Sequence, residues 1–151
     1  MSQYYDLGDE TLWNPSNGAA RLFHRQVAVF EAELGLPSGI GPMENDECQI
    51  DPAVLGVFTE ALVVRHGQTG HAIIRALSEG FVATVLVLAD RAGVDVHRPG
   101  PGPAADSLEG ARDVQVQVQV QAQVPLPDPW GPLAESELRA AARELSRRMP
   151  R

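Results

Sequence analysis

The sequence predicts an all-α protein, because three segments before Gly93 carry apolar residues at helical spacing between sharp Gly and Pro breaks. After Gly93 the composition changes, with five Gly and seven Pro among residues 93–132, which is typical of a linker. A helical pattern returns near Leu133. We therefore predict a three-helix bundle with an N-terminal arm, a flexible linker and a C-terminal helix. The predicted helices span about residues 16–34, 51–66, 71–92 and 133–149, within three regions at 1–93, 94–132 and 133–151.

The N-terminal arm, residues 3–13, is expected to cover one end of the bundle. Aromatic and leucine side chains surround its turn-prone Gly8-Asp9 pair. A short hairpin or a packed arm is therefore expected.

Helix 1 is predicted from a single apolar face and from clear signals at both ends. Ser16 or Asn14 can accept hydrogen bonds from the first free N–H groups. Gly35 followed by Pro37 ends the helix. The apolar face consists of Phe23, Val27, Phe30 and Leu34.

Helices 2 and 3 are predicted to be antiparallel neighbours, because only the short segment 66–70 separates them. Asp51 at the N-cap and Pro52 at the first helical position start helix 2. Gly93 follows the end of helix 3. The inward positions are expected to be Val54 or Leu55, Phe58 and Leu62 on helix 2, and Ile74, Leu77, Phe81, Val85 (or Thr84) and Leu88 on helix 3.

The predicted linker contains VQVQVQVQAQV at residues 114–124, which places every Val on one side of an extended chain and every Gln on the other. Three interpretations remain open. The segment is a tandem-repeat expansion within the linker, a strand paired with the N-terminal arm, or a strand paired with a partner chain.

The C-terminal helix differs in charge from the body of the chain. Residues 133–151 contain five Arg and three Glu, whereas residues 1–93 contain five Arg and twelve Asp or Glu. A basic amphipathic helix beside an acidic body suggests docking, either onto its own bundle or onto another chain. The candidate partner-binding residues are Trp130, Leu138 and Leu145.

Composition excludes some classes of function. The net charge of −8 disfavours nucleic-acid binding and adsorption to an anionic membrane. The chain has one cysteine, no basic and apolar leader pattern, and no apolar run longer than residues 81–89. We therefore expect a cytoplasmic protein without an internal disulfide.

The acidic loop, residues 43–51, is the best candidate for a chemical site. An EF-hand is rejected, because Cys48 would stand where the turn needs Gly and Val54 where calcium needs a bidentate Glu. A nonstandard cation site remains a hypothesis, as does a metal site assembled in space from Cys48 and two histidines. The candidate metal ligands are Glu44, Asp46, Glu47, Cys48, His66 and His71. No catalytic residue and no cofactor are predicted.

Three stretches of the chain look familiar together. They are YYDLGDETLWNPSNGAARLF, GLPSGIGPMENDECQIDPAVLGVF and LSEGFVATVLVLADRAG, of which LWNPSN and GPMENDECQIDP are the most distinctive parts. Over residues 2–93 the sequence resembles an uncharacterised family of small actinobacterial proteins. The resemblance implies a bacterial, cytosolic, lysine-poor protein and carries over no catalytic residue.

The leading hypothesis is a non-enzymatic protein–protein interaction or regulatory module with a protein partner or a homo-oligomeric state. It rests on the extensive apolar helical faces and on the absence of a catalytic sequence motif. The alternative is a small enzyme or a ligand- or metal-binding protein that uses the 43–51 loop.

Overall fold

The computed structural model describes residues 2–96 and 132–151, with side chains of the last segment from residue 136. Within these residues the chain forms four helices and three strands. The strands are β1 (Tyr4–Leu7), β2 (Glu10–Trp13) and β3 (Glu47–Gln49), and the helices are α1 (Asn17–Leu34), α2 (Pro52–Gln68), α3 (Ala72–Arg91) and α4 (Pro132–Arg148). All four predicted helices are present, each within two residues of its predicted ends. The Val-Gln segment and most of the predicted linker lie outside the described residues.

The all-α prediction is wrong, because the three strands form a mixed sheet of order β2-β1-β3. β1 and β2 pair antiparallel around Gly8-Asp9, which confirms the expected hairpin. β3 pairs with β1 in parallel, with Tyr5 opposite Cys48. The parallel pairing joins segments more than forty residues apart. Three-residue strands carry too little period-two pattern to be recognised from sequence alone.

A tight turn before β3 accounts for part of the acidic loop. Asn45 and Asp46 both have positive φ, at 51° and 68°, as in the type I′ turns of hairpins. The backbone N–H groups of Glu44 and Glu47 each donate to the other's carbonyl, at 2.8 and 2.9 Å. The carbonyl of Asp46 also accepts from the N–H of Tyr4 at 2.8 Å. Asn and Asp are the residues that tolerate this backbone conformation best after Gly.

Helix α1 packs against the sheet through aromatic side chains, so no three-helix bundle forms. The Tyr5 and Trp13 rings stack with centroids 5.0 Å apart, and Phe23 meets Tyr5 edge-on at 5.6 Å. Phe30 then stacks on Phe81 of α3 at 4.6 Å. The bundle prediction did not include a sheet, which here takes up part of the apolar face of α1.

The helix ends follow the local signals in the sequence. Ser16 caps α1, and Gly35 ends it in the left-handed conformation. Asp51 caps α2 by accepting from two backbone N–H groups, and Pro52 occupies the first turn. Gly93 adopts positive φ after α3. These predictions are confirmed.

The loop between α1 and β3 is fixed at Ser38 and Gly39. The Glu31 carboxylate accepts from the Ser38 N–H at 2.8 Å and from its hydroxyl at 2.7 Å. Gly39 has φ of 76°, and its carbonyl accepts from the N–H of Asp51 at 2.7 Å. The loop therefore sets where α2 begins.

The tail helix α4 lies on the body of its own chain. Leu138 and Met149 are buried in the common core. The Arg91 guanidinium, at the end of α3, donates to the Leu12 carbonyl on β2 and to the Ser146 and Met149 carbonyls, both at 2.9 Å. One side chain thus joins the hairpin, α3 and the end of α4.

By length and composition alone, α3 is apolar enough to cross a membrane, with a mean hydropathy of 1.8, and it is the one such helix among the described residues. Core helices of globular proteins meet the same criterion. Phe81, Val85 and Leu88 of α3 are buried in the core. The criterion is therefore weak evidence for a membrane span.

We expect Gly39→Ala to destabilise the fold by more than about 3 kcal/mol, because the left-handed strain adds to a steric clash. A Cβ at this position would lie 2.6 Å from the Leu55 nitrogen and 2.7 Å from the Asp51 oxygen. Gly8→Ala is the matched control, since Gly8 has φ of 60° but no atom within 4 Å of the added carbon. It should cost about 1 kcal/mol. Denaturant unfolding measures both, and equal losses would contradict the packing argument.

We expect Arg91→Met to reduce the free energy of unfolding by about 2 kcal/mol or more, because three carbonyls lose a charged donor. Hydrogen exchange should show α4 losing protection before α2. Arg147→Met is the control, since the Arg147 side chain is 77% exposed and pairs only with Glu144 among the described residues. Unchanged protection of α4 in the Arg91 variant would contradict the prediction.

Candidate functional site

An apolar groove lies between α1, the end of α2 and the first half of α3. Its cavity volume is about 440 Å³, within the range of known binding pockets. Arg25, Glu33 and Arg65 stand at its polar margin, and Arg65 forms an ion pair with Glu33. The apolar lining consists of Val29, Phe30, Leu62, Ile74, Leu77 and Val82.

Several groove residues are far more exposed than the sequence predicted. Leu77 is 75% exposed and Ile74 is 47% exposed, although both were expected to face the core. Val29 on α1 is 57% exposed. The reason is that α1 meets α3 at Phe81, so the first two turns of α3 extend beyond the contact. The first half of α3 therefore presents apolar side chains to solvent.

A histidine–serine pair forms part of the groove wall. The Nδ1 of His66 lies 2.9 Å from the Ser78 hydroxyl oxygen. The same hydroxyl is 2.8 Å from the Ile74 carbonyl, to which it donates its single proton. The Arg75 carbonyl is a second acceptor for this hydroxyl, at 3.2 Å. When the hydroxyl donates to either carbonyl, Nδ1 carries the hydrogen of the pair, and in that tautomer it cannot accept the serine proton. The pair satisfies buried polar atoms.

Burial lowers the pKa of His66 below its ordinary value, and the Arg75 charge acts in the same direction while Glu79 opposes it. Burial also lowers the pKa of His24, against a smaller opposing effect of Glu31. Both effects favour the neutral imidazole in the folded state.

Cys48 lies inside the core rather than at a reactive surface. Its thiol donates to the Gly41 carbonyl at 3.1 Å. Burial, with the Asp6 charge, raises the pKa of Cys48 to about 12. The thiol is therefore protonated at neutral pH and is a poor nucleophile and metal ligand.

The predicted metal candidates occupy separate places in the structure. Glu44 and Asp46 lie in the turn before β3, and Glu47 and Cys48 are the first two residues of β3, with Cys48 buried in the core. His66 lies in the groove wall, and His71 is exposed at the start of α3. Across residues 2–96 and 132–151, no group of three or more His, Cys, Asp or Glu side chains could hold a metal ion.

The predicted partner-binding residues are divided in a similar way. Leu138 is 3% exposed within the core of its own chain, and Leu145 is partly buried against that core. Trp130 lies outside the described residues. Sequence reasoning missed the groove, because Ile74 and Leu77, which line it, have the helical spacing that predicts a buried face.

The fold and the groove define a small α+β protein with an apolar surface between helices. The chain belongs to a family of unknown function, DUF6086, whose model matches residues 1–151. The expected resemblance to an uncharacterised family is thereby confirmed, and the match extends through the tail that the resemblance had left out. No curated protein and no solved structure matches the chain.

We expect the protein to lose stability as the pH falls below about 6.5, the ordinary histidine pKa. Both histidines have lowered folded pKa values, so their neutral forms contribute full stability above that pH. Below that pH the unfolded chain binds a proton at each histidine, whereas the folded chain does so only when the pH reaches the lowered pKa values of the folded state. Stability is lost over this interval.

Denaturant unfolding between pH 5 and 8 measures this dependence. His66→Asn preserves a hydrogen-bond donor near Ser78. It should reduce the slope of the free energy of unfolding against pH by the equivalent of up to about one bound proton. His71→Asn is the control, because His71 is exposed at the start of α3. A wild-type profile that does not fall below pH 6.5, or one that both variants alter equally, would contradict the prediction.

Proposed function

We propose that this protein is a non-enzymatic protein–protein interaction module that binds its partner through the groove and the exposed apolar side of α3. The observation that carries the proposal is the exposure of Ile73, Ile74 and Leu77 at 64%, 47% and 75%. Three large apolar side chains within five residues of one helix form a patch rather than scattered exposure.

The surroundings of this patch support a macromolecular partner. Val29 continues the apolar surface across the groove onto α1. Charged side chains of both signs, Arg25 and Glu33, stand at the margin. An apolar centre with a polar margin is the usual arrangement of protein interfaces.

The chemistry of the described residues supports a binding role over a catalytic one. The hydroxyl of Ser78 is hydrogen-bonded to backbone carbonyls of its own helix, and burial raises the pKa of the Cys48 thiol. No observation on the described residues favours the alternative of a ligand or metal site in the 43–51 loop, whose Asp46 and Asp51 serve a turn and a helix cap.

The charge of the chain supports the other parts of the proposal. A net charge of −8 favours a protein partner over nucleic acid or an anionic membrane surface. A cytoplasmic location is part of the proposal, because the chain has a single cysteine and so cannot form an internal disulfide. Because Leu138 lies within the core, we expect α4 to remain packed on α3 and to stabilise it, rather than to detach and bind the partner itself.

Photo-crosslinking in the native host tests the proposal. A photoreactive benzoylphenylalanine in place of Leu77 should trap a protein that the same residue in place of Val57 does not trap. Val57 is the matched control, because it is 58% exposed on α2 and does not line the groove.

The trapped protein is then purified and its affinity for this chain is measured. Leu77→Glu should weaken binding by about 100-fold, since it places a charge in an apolar contact, whereas Val57→Glu should leave it unchanged. Equal crosslinking at both positions, or equal effects of both glutamates, would rule out this surface.

A further inference from the structure

We infer that the partner is a second copy of this chain, bound so that α1 and α3 of one subunit lie antiparallel to α1 and α3 of the other. This inference rests on the proposed function, since it uses the same groove and names its occupant. Two properties of the surface support it, one on each helix.

On α3 the exposed residues are complementary in size to their own antiparallel copy. Leu77 stands midway between Ile74 and Gly80, three residues from each. A two-fold axis near Leu77 therefore places Ile74 opposite Gly80 of the partner subunit. A Cβ on Gly80 would meet no atom within 4 Å, so there is open space there to receive the isoleucine. A large side chain facing a small one is the arrangement that allows helices to interdigitate.

On α1 the charges are complementary to their own antiparallel copy. Arg25 precedes Val29 by four residues and Glu33 follows it by four, and all three line the groove. A two-fold axis near Val29 places Arg25 opposite Glu33 of the partner subunit, twice per dimer. There Arg25 would join the ion pair that Glu33 forms with Arg65 in each subunit. A parallel arrangement would instead place like charges opposite each other.

The two centres of symmetry belong to one surface. Val29 and Leu77 line the same groove, and they are 57% and 75% exposed. A single axis can therefore pass close to both helices, as an isologous two-fold interface requires. The exposed surface of residues 72–80 carries one exposed acid, Glu79, so little like-charge repulsion opposes the approach of two acidic chains.

Sedimentation of the full chain gives the first test. The wild type should have twice the chain mass of 16.2 kDa. Leu77→Glu places two glutamates at the axis and should weaken dimerisation by about 100-fold or more. Val57→Glu should remain dimeric. Circular dichroism and thermal melting establish that each variant is folded.

Charge exchange on α1 tests the antiparallel register. Arg25→Glu should weaken the dimer by about tenfold. Adding Glu33→Arg together with Arg65→Glu, which keeps an ion pair between positions 33 and 65 of each subunit, should restore most of the loss. Arg21→Glu is the matched control, because Arg21 is exposed on the same helix but does not line the groove. If the triple variant dimerises no more tightly than Arg25→Glu alone, the register is wrong.

Disulfide trapping does not depend on a disruptive substitution. Leu77→Cys should form a crosslinked dimer under mild oxidation much faster than Val57→Cys, and the buried Cys48 should not take part. Equal rates would overturn the inference. A monomeric wild type would also overturn the inference. Slow labelling of the Leu77→Cys thiol in that monomer would show that another part of the same chain covers position 77.

These outcomes separate the inference from the proposed function. If the wild type is monomeric and a photoreactive residue at position 77 traps a different protein, the second-copy inference fails and the interaction function stands. If neither a dimer nor a trapped protein is found, both fail.

Discussion

The position of one guanidinium, that of Arg91, holds together parts of the chain that are far apart in sequence. It donates to carbonyls of β2 and of the end of α4, while its backbone ends α3. The last carbonyls of a helix have no partner within the helix, so a fixed multivalent donor satisfies groups that would otherwise be left unpaired. The N–H of Asn14 adds a hydrogen bond to the Pro150 carbonyl at 3.1 Å. The tail helix is thus part of the same body as the N-terminal hairpin.

The sheet has a consequence for the surface as well as for the core. Tyr5 and Trp13 draw the apolar face of α1 toward the hairpin. Helix α4 covers the second half of α3, where Val87 is buried. The first half of α3 is covered by neither element. The groove therefore arises because α1 packs partly on the sheet and α4 packs on the second half of α3, so that neither helix covers the first half of α3.

Most residues that suggested chemistry have structural roles that account for them. Asp51 caps a helix, Asp46 occupies a left-handed turn position, and His66 and Ser78 satisfy one another. Cys48 fills the core beside Tyr5. The groove, an apolar surface bordered by charged side chains, is the feature of the described surface on which the proposed function rests.

The sequence by itself determined the helices and their ends, because the signals for them are local: a left-handed Gly35, Asp51 before Pro52, and Gly93 after the last apolar turn. It also predicted either a hairpin or a packed arm around Gly8-Asp9, and the structure has the hairpin. Only the tertiary structure decided that β3 pairs with β1 and that Leu77 faces solvent. Strand pairing across forty residues and the covering of a helix face depend on which distant elements pack together in the folded chain, and residue spacing along one segment does not specify that.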